Sequence, residues 1–214
     1  MKGLVFVRLS LAQKTSLGKA AKQYAQNIQN AKDYLEDRGL SYEIARRAGL
    51  GVVVEPAAGH DQMLGRLSIP YITTTGVVDI RFRHIGDDGN VPKYLGLPGA
   101  KTHMFNVRAI GDADDFIAVC EGEIDAITLN YAIGIPAVGI PGASNWKTHY
   151  RRLLQDFEKV YIFADGDKAG HDFARHLARE VQGVVIVNMP DGEDVNSMYL
   201  KEGSNYFLEK VNHE

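Results

Sequence analysis

Four acids, Glu121, Asp125, Asp165 and Asp167, are placed where they could share one piece of chemistry. Glu121-Gly122-Glu123-Ile124-Asp125 follows an apolar run over 116–120, and Asp165-Gly166-Asp167-Lys168-Ala169-Gly170 follows another over 160–164. Short apolar runs bounded by Gly and polar residues read as buried strands of a parallel sheet. Ligands of such sheets bind at the carboxyl ends of the strands, where both acidic clusters fall. Carboxylates crowded together repel one another, and a divalent cation relieves them. The chemistry implied is Mg²⁺-assisted work on phosphates.

Each cluster also has a plainer reading. An acid at a strand end often serves only the following helix dipole, and Glu123 reads as a solvated acid of the first turn. Asp125 falls about one helical turn after Glu121, near the same mouth. Asp165 and Asp167 alternate along an extended segment, which puts both carboxylates on one face. Pro190-Asp191-Gly192-Glu193-Asp194 is ordinary turn chemistry by itself. Two other motifs fail. The string from Asp165 begins like an EF-hand loop, but His176 stands where its closing Glu belongs. Gly139 to Thr148 lacks the Gly that must precede the lysine of a P-loop, because Trp146 occupies that place.

The elements that must position these acids alternate: strand 116–120, helix 123–133, strand 137–140, helix 146–157, strand 160–164, helix 169–180, strand 184–188 and helix 195–201. That succession implies right-handed crossovers and a parallel sheet flanked by helices. Upstream, residues 4–11 suggest a strand. A helix over 17–38, capped by Thr15 or Ser16, carries an apolar stripe and stops at Gly39. Ser41 caps a short helix over 42–48. Runs 67–71, 77–83 and 93–95 read as a small antiparallel sheet, with a turn at 87–90. The fold class is therefore α/β, a parallel sheet preceded by a smaller α+β unit.

Charge divides the chain at the same place. Residues 1–111 carry 15 Lys and Arg against nine Asp and Glu, whereas residues 112–214 carry nine against 18. Two units, 1–111 and 112–214, are expected, the first suited to a polyanion. Arg81-Phe82-Arg83 and Lys93-Tyr94 interleave cations with aromatics, as a phosphate-tracking surface would. The same cations could equally protect edge strands. One cysteine, Cys120, excludes an internal disulfide framework and reads as a core residue. The seven histidines are scattered and are assigned no chemistry. No apolar run is long enough to span a bilayer and the first residues do not form a signal peptide. A cytoplasmic protein with no membrane partner is expected.

Taken together, the Glu-Gly motif at Glu121, the Asp-Gly-Asp motif at Asp165 and the Pro-Asp-Gly-Glu-Asp motif at Pro190 resemble a Toprim domain. With Tyr34-Leu35, Arg38-Gly39-Leu40, Gly65-Arg66, Arg83 and Pro92-Lys93-Tyr94-Leu95 upstream, the sequence resembles the catalytic core of bacterial and phage DnaG-type DNA primases over roughly residues 32–203. The resemblance implies a nucleotidyltransferase that makes short RNA primers on single-stranded DNA from ribonucleoside triphosphates, with Mg²⁺ or Mn²⁺. It implies Glu121, Asp165 and Asp167 as catalytic acids, and these three with Asp125 and Asp194 as the metal set. Arg66, Arg83, Lys93, Arg108 and Lys168 would hold nucleotide or template, Arg108 substituting for a basic residue expected near Val107. Asn196 stands where many relatives carry another acid, which implies a weaker third acidic loop. Zinc-binding and helicase modules are absent from these residues, so a separate zinc-domain protein and a replicative helicase are the implied partners. The rival readings are a Toprim nuclease, or a nucleic-acid-binding replication subunit without activity of its own.

Overall fold

A computed structural model describes residues 9–86, 89, 91–142 and 145–212 of the chain. Ser10 caps the first helix, α1 (Leu11–Ala25), through a reciprocal capping box with Gln13. Such a cap contributes about 1 kcal/mol. The continuous helix expected over 17–38 is instead three pieces: α1, a 3₁₀ turn at Ile28–Ala31, and α2 (Lys32–Asp37). The break falls where Asn27 and Asn30 donate their side-chain amides to the carbonyls of Gln23 and Asn27. Such local bonds compete with the helical ladder. The cap is thus Ser10 rather than Thr15 or Ser16. Leu11 is helical, and the rest of the strand expected over 4–11 lies largely outside the described residues. Gly39, at φ +63°, ends α2, and Ser41 caps α3 (Tyr42–Arg47) as expected.

A four-stranded antiparallel sheet follows: β1 (Gly51–Val52), β2 (Leu67–Thr73), β3 (Gly76–Arg83) and β4 (Tyr94–Gly96), in that spatial order. The period of two along β3 sorts its side chains. Ile80 and Phe82 are fully buried on one face, against Ala20, Ala21 and Tyr24 of α1. Asp79, Arg81 and Arg83 therefore share the opposite face. β1 carried no sequence signal because it is two residues long. Of the turn expected at 87–90 only Gly89 is described.

Beyond α4 (Ala109–Asp112) the expected alternation appears: β5 (Phe116–Cys120), α5 (Glu123–Ile127), β6 (Ala137–Gly139), α6 (Arg151–Leu154), β7 (Lys159–Ala164), α7 (Lys168–Glu180), β8 (Val184–Asn188), α8 (Val195–Glu202) and α9 (Asn205–Asn212). The four strands are parallel, in the order β6-β5-β7-β8. The chain leaves α5 through a π-helical stretch, Thr128–Ile133, which Gly134 closes at φ +92°. The helix expected over 146–157 is reduced to a 3₁₀ turn and the four-residue α6.

Both faces of the parallel sheet are covered, as its near-continuous apolar strands require. Ile117, Val119, Val160 and Ile162 pack with Phe173 and Leu177 of α7. Ala118, Cys120, Tyr161 and Phe163 lie on the other side, in a core that also contains Ile124, Val195 and Phe207. That core runs on into Leu67, Ile69 and Tyr71 of β2, so the charged face of the antiparallel sheet is set directly against the parallel one. Phe105 adds a backbone bridge to Gly139. Cys120 is fully buried, as its apolar run implies.

Candidate active site: an acidic mouth facing a basic wall

Three loops bring the acids together, and glycines set their approach. At Gly122 a Cβ would stand 2.2 Å from Asp125 Oδ2, so a side chain there would displace the Asp125 carboxylate from its present place. At Gly166 a Cβ would stand 1.8 Å from the carbonyl oxygen of Pro190. This close contact is locked by two backbone bonds of 2.7 Å, Gly166 N–H to Glu193 O and Gly192 N–H to Gly166 O. The loops after β7 and β8 are therefore one unit, and its acids sit beside the end of β5.

The acids differ in what they already hold. Asp167 caps α7, accepting from Gly170 N–H at 2.7 Å, and Asp194 caps α8, accepting from Ser197 N–H at 2.7 Å. Asp125 is buried and accepts from Asn196 N–H at 3.0 Å. Glu121 Oε1 and Asp165 Oδ1 are buried with no hydrogen-bond partner. Such orphans are costly and call for a partner. Burial, then the charge of Asp167 and of Asp125, pushes Glu121 up to about 7. Asp165 is pushed up to about 7 by burial and by Glu121, Asp194 and Asp167, with Lys93 opposing. Asp125 also rises to about 7, through burial and the charges of Asp194 and Asp165.

Unpaired oxygens in a field of like charge suit a divalent cation. Among the described residues no three His, Cys, Asp or Glu side chains form a ready-made cage. Mg²⁺ is commonly held by one or two carboxylates together with waters and substrate phosphates, and the unpartnered oxygens of Glu121 and Asp165 are donors of that kind. Glu121, Asp125, Asp165 and Asp194 line one cavity of about 320 Å³. Asp167 does not line it and is exposed, acting on the mouth through its charge.

The opposite wall is basic: Arg38, Arg81, Arg83, Lys93 and Tyr94 line the same cavity. Arg83 donates to Tyr94 Oη at 2.6 Å and lies over the rings of Tyr34 and Tyr94, while its buried Nε has no partner. Arg38, Arg83 and Lys93 also line an adjoining cleft of about 740 Å³ that opens from the site. Three residues expected in the binding set stand elsewhere. Arg66 is buried and donates to Pro92 O at 2.9 Å, bracing the segment that carries Lys93. Arg108 lines a separate crevice with Arg47 and Tyr131. Lys168 is exposed and pairs with Asp172 at 3.1 Å.

Two residues, Glu123 and Asn196, play parts that the sequence reading did not give them. Glu123 is not a solvated acid: it is 1% exposed and accepts from Arg81 Nη1 at 2.6 Å and Tyr71 Oη at 2.7 Å. Period two along Asp79, Arg81 and Arg83 was the available signal for Arg81, but its partner lies 42 positions away. Asn196 does not face the acids as a lost ligand. It is fully buried, accepts from Arg38 at 3.1 Å and donates to Arg38 O and Thr128 Oγ1, so it ties Asp125 to Arg38.

Residues 118–199 match a Toprim-like family model. The Gene 57 protein of Mycobacterium phage D29 is 42% identical over 152 residues, covering 69% of this chain and 98% of that protein. The chain superposes on the structure of a DnaG primase catalytic domain bound to single-stranded DNA with a TM-score of 0.74, at 25% identity, over 95% of this chain and 83% of that one. The chain belongs to the DnaG-type primase family and contains its Toprim domain. The DNA primase of Pseudomonas putida is 28% identical over 85% of this chain, and the match spans 34% of that protein. The family kinship thus covers the core that carries the acidic mouth. Among the described residues no helix is long and apolar enough to cross a membrane.

Proposed function

We propose that this chain synthesises short RNA primers on single-stranded DNA by metal-dependent nucleotidyl transfer. The observation that carries the reading is the pairing of unpartnered acids, Glu121 and Asp165, with a basic wall across one cavity. A nuclease needs the acids; the facing Arg38, Arg83 and Lys93 are better accounted for by a triphosphate and a template strand entering opposite them. The solved relative bound to single-stranded DNA supports the template assignment.

In this reading Glu121, Asp125, Asp165 and Asp194 would hold Mg²⁺ or Mn²⁺, which would supply charge stabilisation to phosphate oxygens. Asp167 contributes negative charge and fixes the start of α7. Glu121, whose buried Oε1 has no hydrogen-bond partner, would accept the proton of an attacking 3′-hydroxyl if it does not ligate the metal. Arg83 and Lys93 orient the incoming triphosphate while its α-phosphate is attacked and diphosphate leaves. Arg66 acts indirectly, by placing Lys93. A zinc-domain protein and a replicative helicase are the partners proposed for starting primers.

The test incubates the chain with single-stranded DNA, labelled ribonucleoside triphosphates and Mg²⁺ or Mn²⁺, with and without a supplied RNA primer. Labelled RNA that disappears in Glu121→Gln supports the proposal. Shortened DNA instead would establish the nuclease, and DNA binding without either product would establish a binding subunit.

A further inference from the structure

We propose that Arg81 is a phosphate-contacting residue at the junction of two cavities, held in its working orientation by Glu123 and Tyr71. The inference rests on the triphosphate site proposed above and names a residue that the family motifs leave out. Arg81 lines both the acid-bearing cavity and a second one of about 360 Å³, whose walls include Asp79, Lys101, His103 and Asn145. Pro141 is the other residue common to both linings.

The neighbours of Arg81 are arranged to hold it still. Gly96 is its cross-strand partner on β4, so no side chain crowds it there. Its guanidinium carbon lies 4.4 Å from the centre of the Tyr94 ring. One nitrogen, Nη1, is bonded to Glu123, whose same oxygen also accepts from Tyr71. Glu123 and Tyr71 are 1% and 2% exposed, whereas the Arg81 side chain retains 24% exposure. The acceptor is therefore sealed while the guanidinium faces open space. With five N–H donors in a planar fork, an arginine anchored through one end still offers donors to a second anion.

Stability is a weak reason for this arrangement. A buried ion pair repays its desolvation only in good geometry and is often replaceable by apolar residues. A site that must place a charge accurately does need a second layer of residues locking the first. The position also suits one part of the substrate. Seen from the acids, Arg81 stands toward the cavity carrying Lys101 and His103, where the diphosphate portion of a triphosphate can extend away from the attacked phosphorus. Arg81 thus contacts that diphosphate, and Glu123 and Tyr71 are positioning residues.

Calorimetric binding of inorganic pyrophosphate with Mg²⁺ separates this role from a structural one. Arg81→Met should raise the pyrophosphate Kd about ten-fold, the loss of one hydrogen bond to a charged group. The nucleotide KM should rise in parallel while kcat at saturation and single-stranded DNA affinity hold. Because Arg81→Met strands a buried carboxylate, Arg81→Met/Glu123→Gln provides a neutral pair for the same measurement, with the same expected loss. Glu123→Gln alone is the sharpest arm. Simple charge predicts tighter pyrophosphate binding once an anion is removed; positioning predicts weaker binding. Wild-type pyrophosphate affinity in the neutral pair, or a gain in Glu123→Gln, would overturn the inference and leave the triphosphate site standing. No pyrophosphate binding by the wild type would overturn both.

Discussion

The two walls of the cavity solve opposite problems. On the antiparallel sheet the cations are furnished with partners: Arg81 has Glu123 and the Tyr94 ring, and Arg83 has Tyr94 and the Tyr34 ring. At the mouth of the parallel sheet the anions are held close without enough partners, and burial with mutual repulsion drives Glu121, Asp125 and Asp165 up to about 7. The basic wall is organised in advance of its ligand. The acidic mouth is stressed by its own charge. Under the proposed function, binding and charge stabilisation fall to different sheets, and substitutions in the two should fail in different ways.

The largest effect should come from the acids. Asp165→Asn should lower ribonucleotide incorporation by roughly a thousand-fold, the several kcal/mol that metal-centred charge stabilisation is worth. Its metal-free melting temperature should be unchanged or higher, because repulsion has been relieved. Loss of activity accompanied by a large fall in melting temperature would mean that the acid is structural.

A smaller effect is expected on the basic wall. Lys93→Ala should weaken single-stranded DNA binding and reduce the salt dependence of affinity by about 0.7 in log-log slope for the lost phosphate contact. Affinity measured across a salt series checks this, and an unchanged slope would return Lys93 to the role of an exposed solubilising charge.

The smallest effect is thermodynamic and concerns the stress itself. For an acid whose folded pKa lies above its unfolded value, the native state binds more protons in the interval between the two. Stability then falls as pH rises through that window. With ordinary values of 3.8 and 4.5 and folded values near 7, the metal-free protein should lose stability between about pH 4 and pH 7 on account of this cluster. Mg²⁺ or Mn²⁺ should restore more at pH 8 than at pH 5. Thermal melts at the two pH values, with and without metal, check the sign.

How much of this was legible in the sequence depends on the range of the interactions. β5, β7, β8 and the cap at Ser41 are local patterns, and motifs at the strand ends led to Glu121, Asp125, Asp165 and Asp194 before any fold was known. Asp167 carries its charge to the mouth from outside the cavity lining, a distinction that sequence spacing does not contain. Glu123 was misread because an acid in a first helical turn looks the same whether water or a distant Arg81 covers it. Arg66 and Arg108 were read as binding residues from the family resemblance, while the fold turns one to a carbonyl and the other into a separate crevice. Asn196 looked like a missing acid because the resemblance sets an acid there, and its partners Arg38 and Asp125 lie 158 and 71 positions away. The break near Asn27 came from side-chain amides competing for backbone carbonyls, a contest that apolar periodicity does not register.

The division of labour between the walls is tested most directly by steady-state ribonucleotide incorporation on a primed single-stranded template, comparing wild type, Glu121→Gln and Arg83→Ala across nucleotide concentration at saturating Mg²⁺. The account predicts RNA from the wild type and none above background from Glu121→Gln at any nucleotide concentration. Arg83→Ala should approach wild-type kcat with a raised KM. Turnover by Glu121→Gln, or an Arg83→Ala protein that loses kcat at unchanged KM, would contradict it.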